Sequence, residues 1–158
     1  MNDATLTSLS TRQPVLLVCL RHLGCTFSRQ ALADLRDQRR AIEAAGTRLV
    51  IVHMEPSYTA DPWLTRYGLG DVMAMSDPSA AVYETCGLKR GRVGQLVGPG
   101  ILWRWLRSAL VERHGAGWTG VDARRMPGAF LVRDGRIVRA FRHTTTADRP
   151  DYAALCSG

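Results

Sequence analysis

Residues 14–20 are apolar without a break (Pro14-Val15-Leu16-Leu17-Val18-Cys19-Leu20) and then give way to Arg21-His22-Leu23-Gly24-Cys25. A short apolar run without alternation predicts a central strand buried on both faces. Beyond it, Phe27, Ala31, Leu35, Ile42 and Ala45 recur at steps of three, four and seven residues. That spacing puts them on one face of a helix, and Gly46 suits the residue that ends it. Leu49-Val50-Ile51-Val52 predicts a second buried strand. Strand, helix and strand with short joints make a βαβ unit, so the two strands should be parallel with a right-handed crossover.

The pattern continues less regularly. Residues 56–67 predict a helix in two pieces, because Pro62 interrupts it. Residues 69–75 lead into a short strand. Ser76-Asp77-Pro78 predicts a capped helix start, with the helix running to Cys86 and ended by Gly87, and with Tyr83 and Cys86 on one side. Residues 88–100, rich in Gly, predict a loop. Residues 101–113 predict an amphipathic helix with Leu102, Trp105, Leu106 and Leu110 on one face and an exposed Trp103, suited to covering the core or contacting a second copy. Ala129-Phe130-Leu131-Val132 and residues 136–142 predict two strands joined by an Asp134-Gly135 hairpin turn. A loop over 144–150 and a short helix over 152–156 close the chain.

These elements predict one α/β domain over residues 14–158, a mixed central sheet with helices on both faces. A polar N-terminal segment, 1–13, precedes it, and a helical insertion spans about 88–120. Composition adds little to this picture. The chain has 158 residues, 46% of them hydrophobic and 22% charged. No apolar stretch approaches the ~20 residues of a membrane span. Met1–Gln13 has no apolar core of a secretory signal, which predicts a cytoplasmic protein. The net charge is +7 and Lys89 is the only lysine. The arginines are scattered rather than striped, which argues against a nucleic-acid partner. The four cysteines, Cys19, Cys25, Cys86 and Cys156, form no C-x-x-C pair, so neither a structural metal nor a secreted disulfide framework is expected.

Cys25 is placed differently from the others. It stands where a strand ends and a helix begins, facing the positive end of the helix dipole, where electrostatics favour a thiolate over a thiol. Arg21 and Arg29 add positive charge nearby. Ser28 either donates a hydrogen bond to the sulfur or only occupies the first helical turn. His22 is either a proton carrier or an exposed loop histidine. If the strand starting after Pro127 pairs antiparallel with residues 14–20, Met126 and Pro127 land beside Cys25, and Arg142 and His143 reach the same rim. Arg142 could then hold an oxygen of peroxide or sulfenate. Cys86 and Cys156 are candidate resolving thiols.

Gly24-Cys25-Thr26-Phe27-Ser28-Arg29 at a strand-to-helix corner, with Met126-Pro127-Gly128-Ala129-Phe130-Leu131-Val132 downstream, resembles the thioredoxin fold. More narrowly it resembles peroxiredoxin-like proteins of the alkyl hydroperoxide reductase/thiol-specific antioxidant type, including their selenoprotein L-related branch. Phe141-Arg142-His143 and residues 147–151 look like that branch as well. The resemblance implies a thioredoxin-like three-layer sandwich, a redox-active Cys25, a cis peptide bond before Pro127 facing it, and no cofactor. It implies a peroxide or disulfide substrate and a thiol reductant of the thioredoxin, glutaredoxin or glutathione type. Ser28 stands where branch members often carry a second Cys or selenocysteine, so no disulfide can close within the first helical turn. His22 stands where typical peroxiredoxins carry Thr.

The leading expectation is therefore a thiol-dependent peroxidase with Cys25 as nucleophile. A monothiol thiol–disulfide oxidoreductase built on C-x-x-S is the first alternative. A redox-inert binding module of the same fold is the second.

Overall fold

The computed structural model describes residues 3–91, 99–107, 122 and 124–157. In chain order the elements are α1 (Asp3–Arg12), β1 (Val15–Cys19), α2 (Thr26–Ala44), β2 (Arg48–His53), α3 (Ser57–Arg66), β3 (Met73–Ser76), α4 (Ala81–Thr85), α5 (Pro99–Leu106), β4 (Gly128–Arg133), β5 (Arg136–Arg142) and α6 (Tyr152–Cys156). The sheet order is β3-β2-β1-β4-β5. β1 pairs parallel with β2 and antiparallel with β4, which places Cys19 opposite both Val52 and Gly128. The expected βαβ unit and the proline-side strand are both in their expected places.

β1 is buried at every position, and strand alternation divides its side chains between two cores. Leu16 and Val18 pack with Leu32, Leu35 and Ile42 of α2, Leu64 of α3 and Tyr152 of α6. Val15, Leu17 and Cys19 pack on the other face with Tyr83 of α4 and Cys86, and Leu6 and Leu9 of α1 lie against them. The molecule thus has helices on both faces of a mixed sheet, the three-layer α/β architecture expected from the sequence.

Four local outcomes differ from the expectations. Residues 3–12 form a helix rather than a plain polar segment. Its Ser10 holds the β4–β5 hairpin, accepting from Asp134 N–H through its carbonyl (3.1 Å) and from Gly135 N–H through Oγ (2.8 Å). α3 runs through Pro62 unbroken. The carbonyl that loses its partner there belongs to Tyr58, whose side chain is 81% exposed, and solvent can replace the bond. Asp77 does not sit at the first position of α4 but caps it from a turn away, accepting from Ala81 N–H and Val82 N–H. Leu102, expected on the buried face of its helix, is exposed beside Trp103. The rest of the expected 88–120 insertion falls largely outside the described residues, as do the C-terminal part of the 101–113 helix and Leu110. The Asp134-Gly135 turn has positive φ at both residues (49° and 71°), as a tight two-residue hairpin requires. Among the described residues no helix is long and apolar enough to cross a membrane.

Candidate active site

The chain leaves β1 at Cys19 and enters α2 at Thr26, and the six residues between are held at almost every turn. Leu20 N–H donates to the Val52 carbonyl (2.8 Å), and the Leu20 carbonyl accepts from the Tyr83 hydroxyl (2.5 Å). Leu23 N–H donates to Oε1 of Glu55 (2.6 Å), and the Leu23 carbonyl accepts from Nε of Arg29 (2.7 Å). Cys25 N–H donates to the His22 carbonyl (2.8 Å). Glu55 is fully buried. Its own carbonyl is fixed by the Ser76 hydroxyl at 2.7 Å and by Nδ1 of His53 at 2.9 Å. The carboxylate at the end of β2 therefore clamps the loop that presents the cysteine.

Cys25 occupies the N-cap of α2 in extended backbone (φ −76°, ψ 127°), and its side chain makes no capping hydrogen bond. No acidic residue lies in the first helical turn, so the positive end of the helix acts on the sulfur uncompensated. Nη1 of Arg21 lies 3.4 Å from the sulfur, in hydrogen-bonding position. Cys25 is 7% exposed. It lines a narrow cavity of about 20 Å³ together with Arg21, Phe27, Ser28, Pro127, His143 and Tyr152, room for a water-sized molecule. The Ser28 hydroxyl and Nδ1 of His143 are buried without a hydrogen-bond partner.

Several expected site residues take a different place. Ser28 and Pro127 share the cavity with Cys25, but the Ser28 hydroxyl does not bond the sulfur. The peptide before Pro127 is trans, because no cis bond occurs among the described residues; the smaller trans preference of proline only permits cis. Met126 is buried next to it, its N–H donating to the Lys89 carbonyl (3.1 Å). Arg142 does not line the cavity. Alternation along β5 sends it to the α4 side of the sheet, where its guanidinium lies 5.2 Å from the Phe130 ring centre and Nε donates to the Cys86 carbonyl (3.1 Å). His143, one residue on, faces the cavity instead. Arg29 supports the loop, being buried with its guanidinium stacked 4.0 Å over Trp63, and its charge also acts on Cys25.

His22 is not an exposed loop residue. It is buried, and burial with the charges of Arg21 and Arg29 lowers its pKa to about 4, so it is neutral at pH 7. Burial likewise lowers His143, so its imidazole is held toward the neutral form. Neither resolving candidate lines the cavity. Cys86 contacts Cys19 on the opposite face of the sheet. Cys156 is buried under α6 near Thr47, Arg133 and Arg139, at the far end of the sheet, and burial pushes its thiol up.

Glu55 and Tyr152 were not found by sequence reasoning; His143 was expected at this rim and lines the cavity. A lone glutamate after an apolar strand carries no motif, and only the fold brings it under residue 23.

Comparison with known proteins then gives the family. A model of the AhpC/TSA antioxidant enzyme family matches residues 34–145, most of the chain, beginning downstream of Cys25. No curated protein matches in sequence. Among solved structures, the peroxidoxin BcpB of Mycobacterium tuberculosis aligns with TM-score 0.61 at 16% identity, covering 96% of this chain and 80% of its own. Reduced Prx3 of Vibrio vulnificus in complex with hydrogen peroxide aligns with TM-score 0.64 at 14% identity, covering 95% and 85%. The reduced 2-Cys peroxiredoxin of Plasmodium vivax aligns with TM-score 0.61 at 13% identity, covering 95% and 77%. At such identities these likenesses establish the peroxiredoxin-type thioredoxin fold. With the family match over most of its length, the chain belongs to the AhpC/TSA antioxidant enzyme family, whose activity is that of a thiol-dependent peroxidase.

Proposed function

We propose that Cys25 is the peroxidatic nucleophile and that small hydroperoxides are its substrates. The observation that carries this is the sulfur at an uncompensated helix N-terminus, 3.4 Å from Arg21 Nη1, in a cavity with an unpaired hydroxyl. Positive potential from the helix and the guanidinium stabilises negative charge on sulfur. The thiolate attacks one peroxide oxygen, the O–O bond breaks, and the leaving oxygen takes a proton and departs as water from hydrogen peroxide or as the alcohol from an organic hydroperoxide. Cys25 is left as sulfenic acid. The Ser28 hydroxyl can donate to the peroxide or sulfenate oxygen. His143, a neutral imidazole with a free buried nitrogen, can take the thiol proton and return it to the leaving oxygen.

Reduction then comes from outside the chain, since neither Cys86 nor Cys156 reaches the cavity. One external thiol condenses with the sulfenic acid, releasing water and leaving a mixed disulfide. A second thiol displaces Cys25 and leaves as the oxidised reductant. A thiol of the thioredoxin, glutaredoxin or glutathione type in the cytoplasm fits this scheme. A homodimer fits the exposed Leu102 and Trp103 of α5 (58% and 71%). Hydrogen-peroxide consumption with a thiol reductant tests the assignment. Wild type should turn over and Cys25→Ser should not; equal rates refute it.

A further inference from the structure

We infer that Cys19 and Cys86 form a second redox pair, a buried dithiol whose Cys19 borders the Cys25 cavity, which peroxide converts to a disulfide joining β1 to the end of α4. Cys19 is the last residue of β1 and fully buried; Cys86 follows α4 and is 4% exposed. Both belong to the core on the α1/α4 face of the sheet, where Cys86 is the neighbour that acts most on the Cys19 thiol.

The placement is fixed from two sides. Tyr83, one turn before Cys86 on the same helix face, donates its hydroxyl to the carbonyls of Leu20 (2.5 Å) and Val52 (3.2 Å), which pins α4 over the end of β1. The Cys86 carbonyl accepts from Arg142 Nε (3.1 Å). Arg142 stands opposite Gly128 across the sheet, and Gly128 stands opposite Cys19. Two thiols held in contact need little backbone movement to bridge.

The chemistry balances with the substrate of the family. Peroxide oxidises one thiol to sulfenic acid and releases one water. The second sulfur displaces the sulfenic oxygen as a second water, forming the S–S bond. Two thiols and one hydrogen peroxide thus give one disulfide and two waters, and two external thiols reverse it. The hydrogen bond to Cys86 and burial push the Cys19 thiol up, so the pair reacts more slowly than a thiol at a helix start. It oxidises under sustained peroxide, after Cys25, and its disulfide then ties α4 to the strand from which the Cys25 loop departs.

The site does not depend on the role given to Cys25, and the test separates the two. Trypsin places Cys19, Cys25 and Cys86 in the peptides Gln13–Arg21, His22–Arg29 and Tyr67–Lys89, one cysteine each. Wild type and Cys25→Ser are treated with hydrogen peroxide, alkylated and digested without reduction. The expected product in both is a linked pair of the first and third peptides, about 2 mass units lighter than their sum, accumulating at least about tenfold more slowly than Cys25 is consumed in wild type. If Cys19 and Cys86 stay alkylatable, or oxidise without linking, the inference is overturned. A link from Cys25 to Cys19 or to Cys86 in its place also overturns it. Loss of peroxide turnover in Cys25→Ser is read separately and bears only on the peroxidase assignment.

Discussion

Ser28→Ala separates what the cavity does for the fold from what it does for the reaction. The Ser28 hydroxyl is 4% exposed with its side chain and makes no hydrogen bond. An unpaired buried hydroxyl costs about 1–3 kcal/mol of desolvation, and alanine removes that cost. Alanine at the third position of α2 adds roughly 0.5 kcal/mol of helix propensity. Against this stands the loss of one oxygen's packing contacts, a few tenths of a kcal/mol. The net is a gain of about 1–3 kcal/mol, which raises Tm by roughly 2–4 °C per kcal/mol for a chain of this length. The same change removes the donor proposed for the peroxide or sulfenate oxygen, and one hydrogen bond made in the transition state is worth about 5–30-fold in rate. Differential scanning calorimetry and peroxide turnover on the same preparation read both. A variant that melts lower than wild type, or turns over equally fast, refutes the assignment of Ser28 as a waiting donor.

Arg21→Ala should slow Cys25 oxidation at pH 6 by about 5–30-fold, the worth of a charge-assisted hydrogen bond on a half-buried group, and Arg21→Lys should restore part of it; stopped-flow peroxide consumption decides. The neutral His22 makes the fold acid-sensitive. Its folded pKa of about 4 lies below the unfolded value near 6.5. The unfolded state therefore binds a proton that the folded state does not. Stability is fully present above about pH 6.5 and falls as the pH drops toward 4, by up to about 3 kcal/mol. Urea unfolding of wild type and His22→Gln across that window should show a shallower slope in the variant. Glu55→Ala leaves the buried Leu23 N–H without its acceptor and should cost about 2–4 kcal/mol by the same unfolding assay, while Glu55→Gln, which keeps a carbonyl oxygen there, should retain most of the stability and of the Cys25 reactivity.

The sheet was legible because each of its strands announces itself. β1 and β2 are unbroken apolar runs joined through a helix with the right period, and Asp134-Gly135 fixes the β4–β5 hairpin. Alternation then determines which residues can meet, and here sequence reasoning went wrong at Arg142. Both Arg142 and His143 reach the rim beside Cys25, but only strand parity decides which faces the cavity, and parity depends on the end of β5. α1 was missed for a related reason: its polar sequence carries few apolar residues, and its stability comes from Ser10 meeting a hairpin more than a hundred residues away. Glu55 and Tyr83 act on the 20–25 loop through contacts that no local pattern encodes. The chemistry of Cys25 was readable, since a helix start is a local property; its supporting shell was not.

That shell carries a consequence for the life of the oxidised enzyme. Hydrogen bonds hold residues 20–25 from several sides: to Val52 and Glu55, from Tyr83 and Arg29, and within the loop at His22. A loop so anchored presents its sulfur in one geometry, which favours attack on a small peroxide. The same rigidity keeps Cys25 7% exposed in a cavity of about 20 Å³, and neither Cys86 nor Cys156 lies there. A sulfenic acid formed at Cys25 is therefore reached by water-sized molecules easily and by a bulky thiol only when the loop opens. Sulfenate should accumulate after one equivalent of peroxide and persist for minutes without reductant. The added oxygen should appear on peptide His22–Arg29 as about 16 mass units above the thiol, about one per chain. A disulfide involving Cys25 formed within seconds, in protein free of added thiol, would mean that the loop opens faster than its hydrogen bonds allow, and the account of an externally resolved cysteine would be wrong.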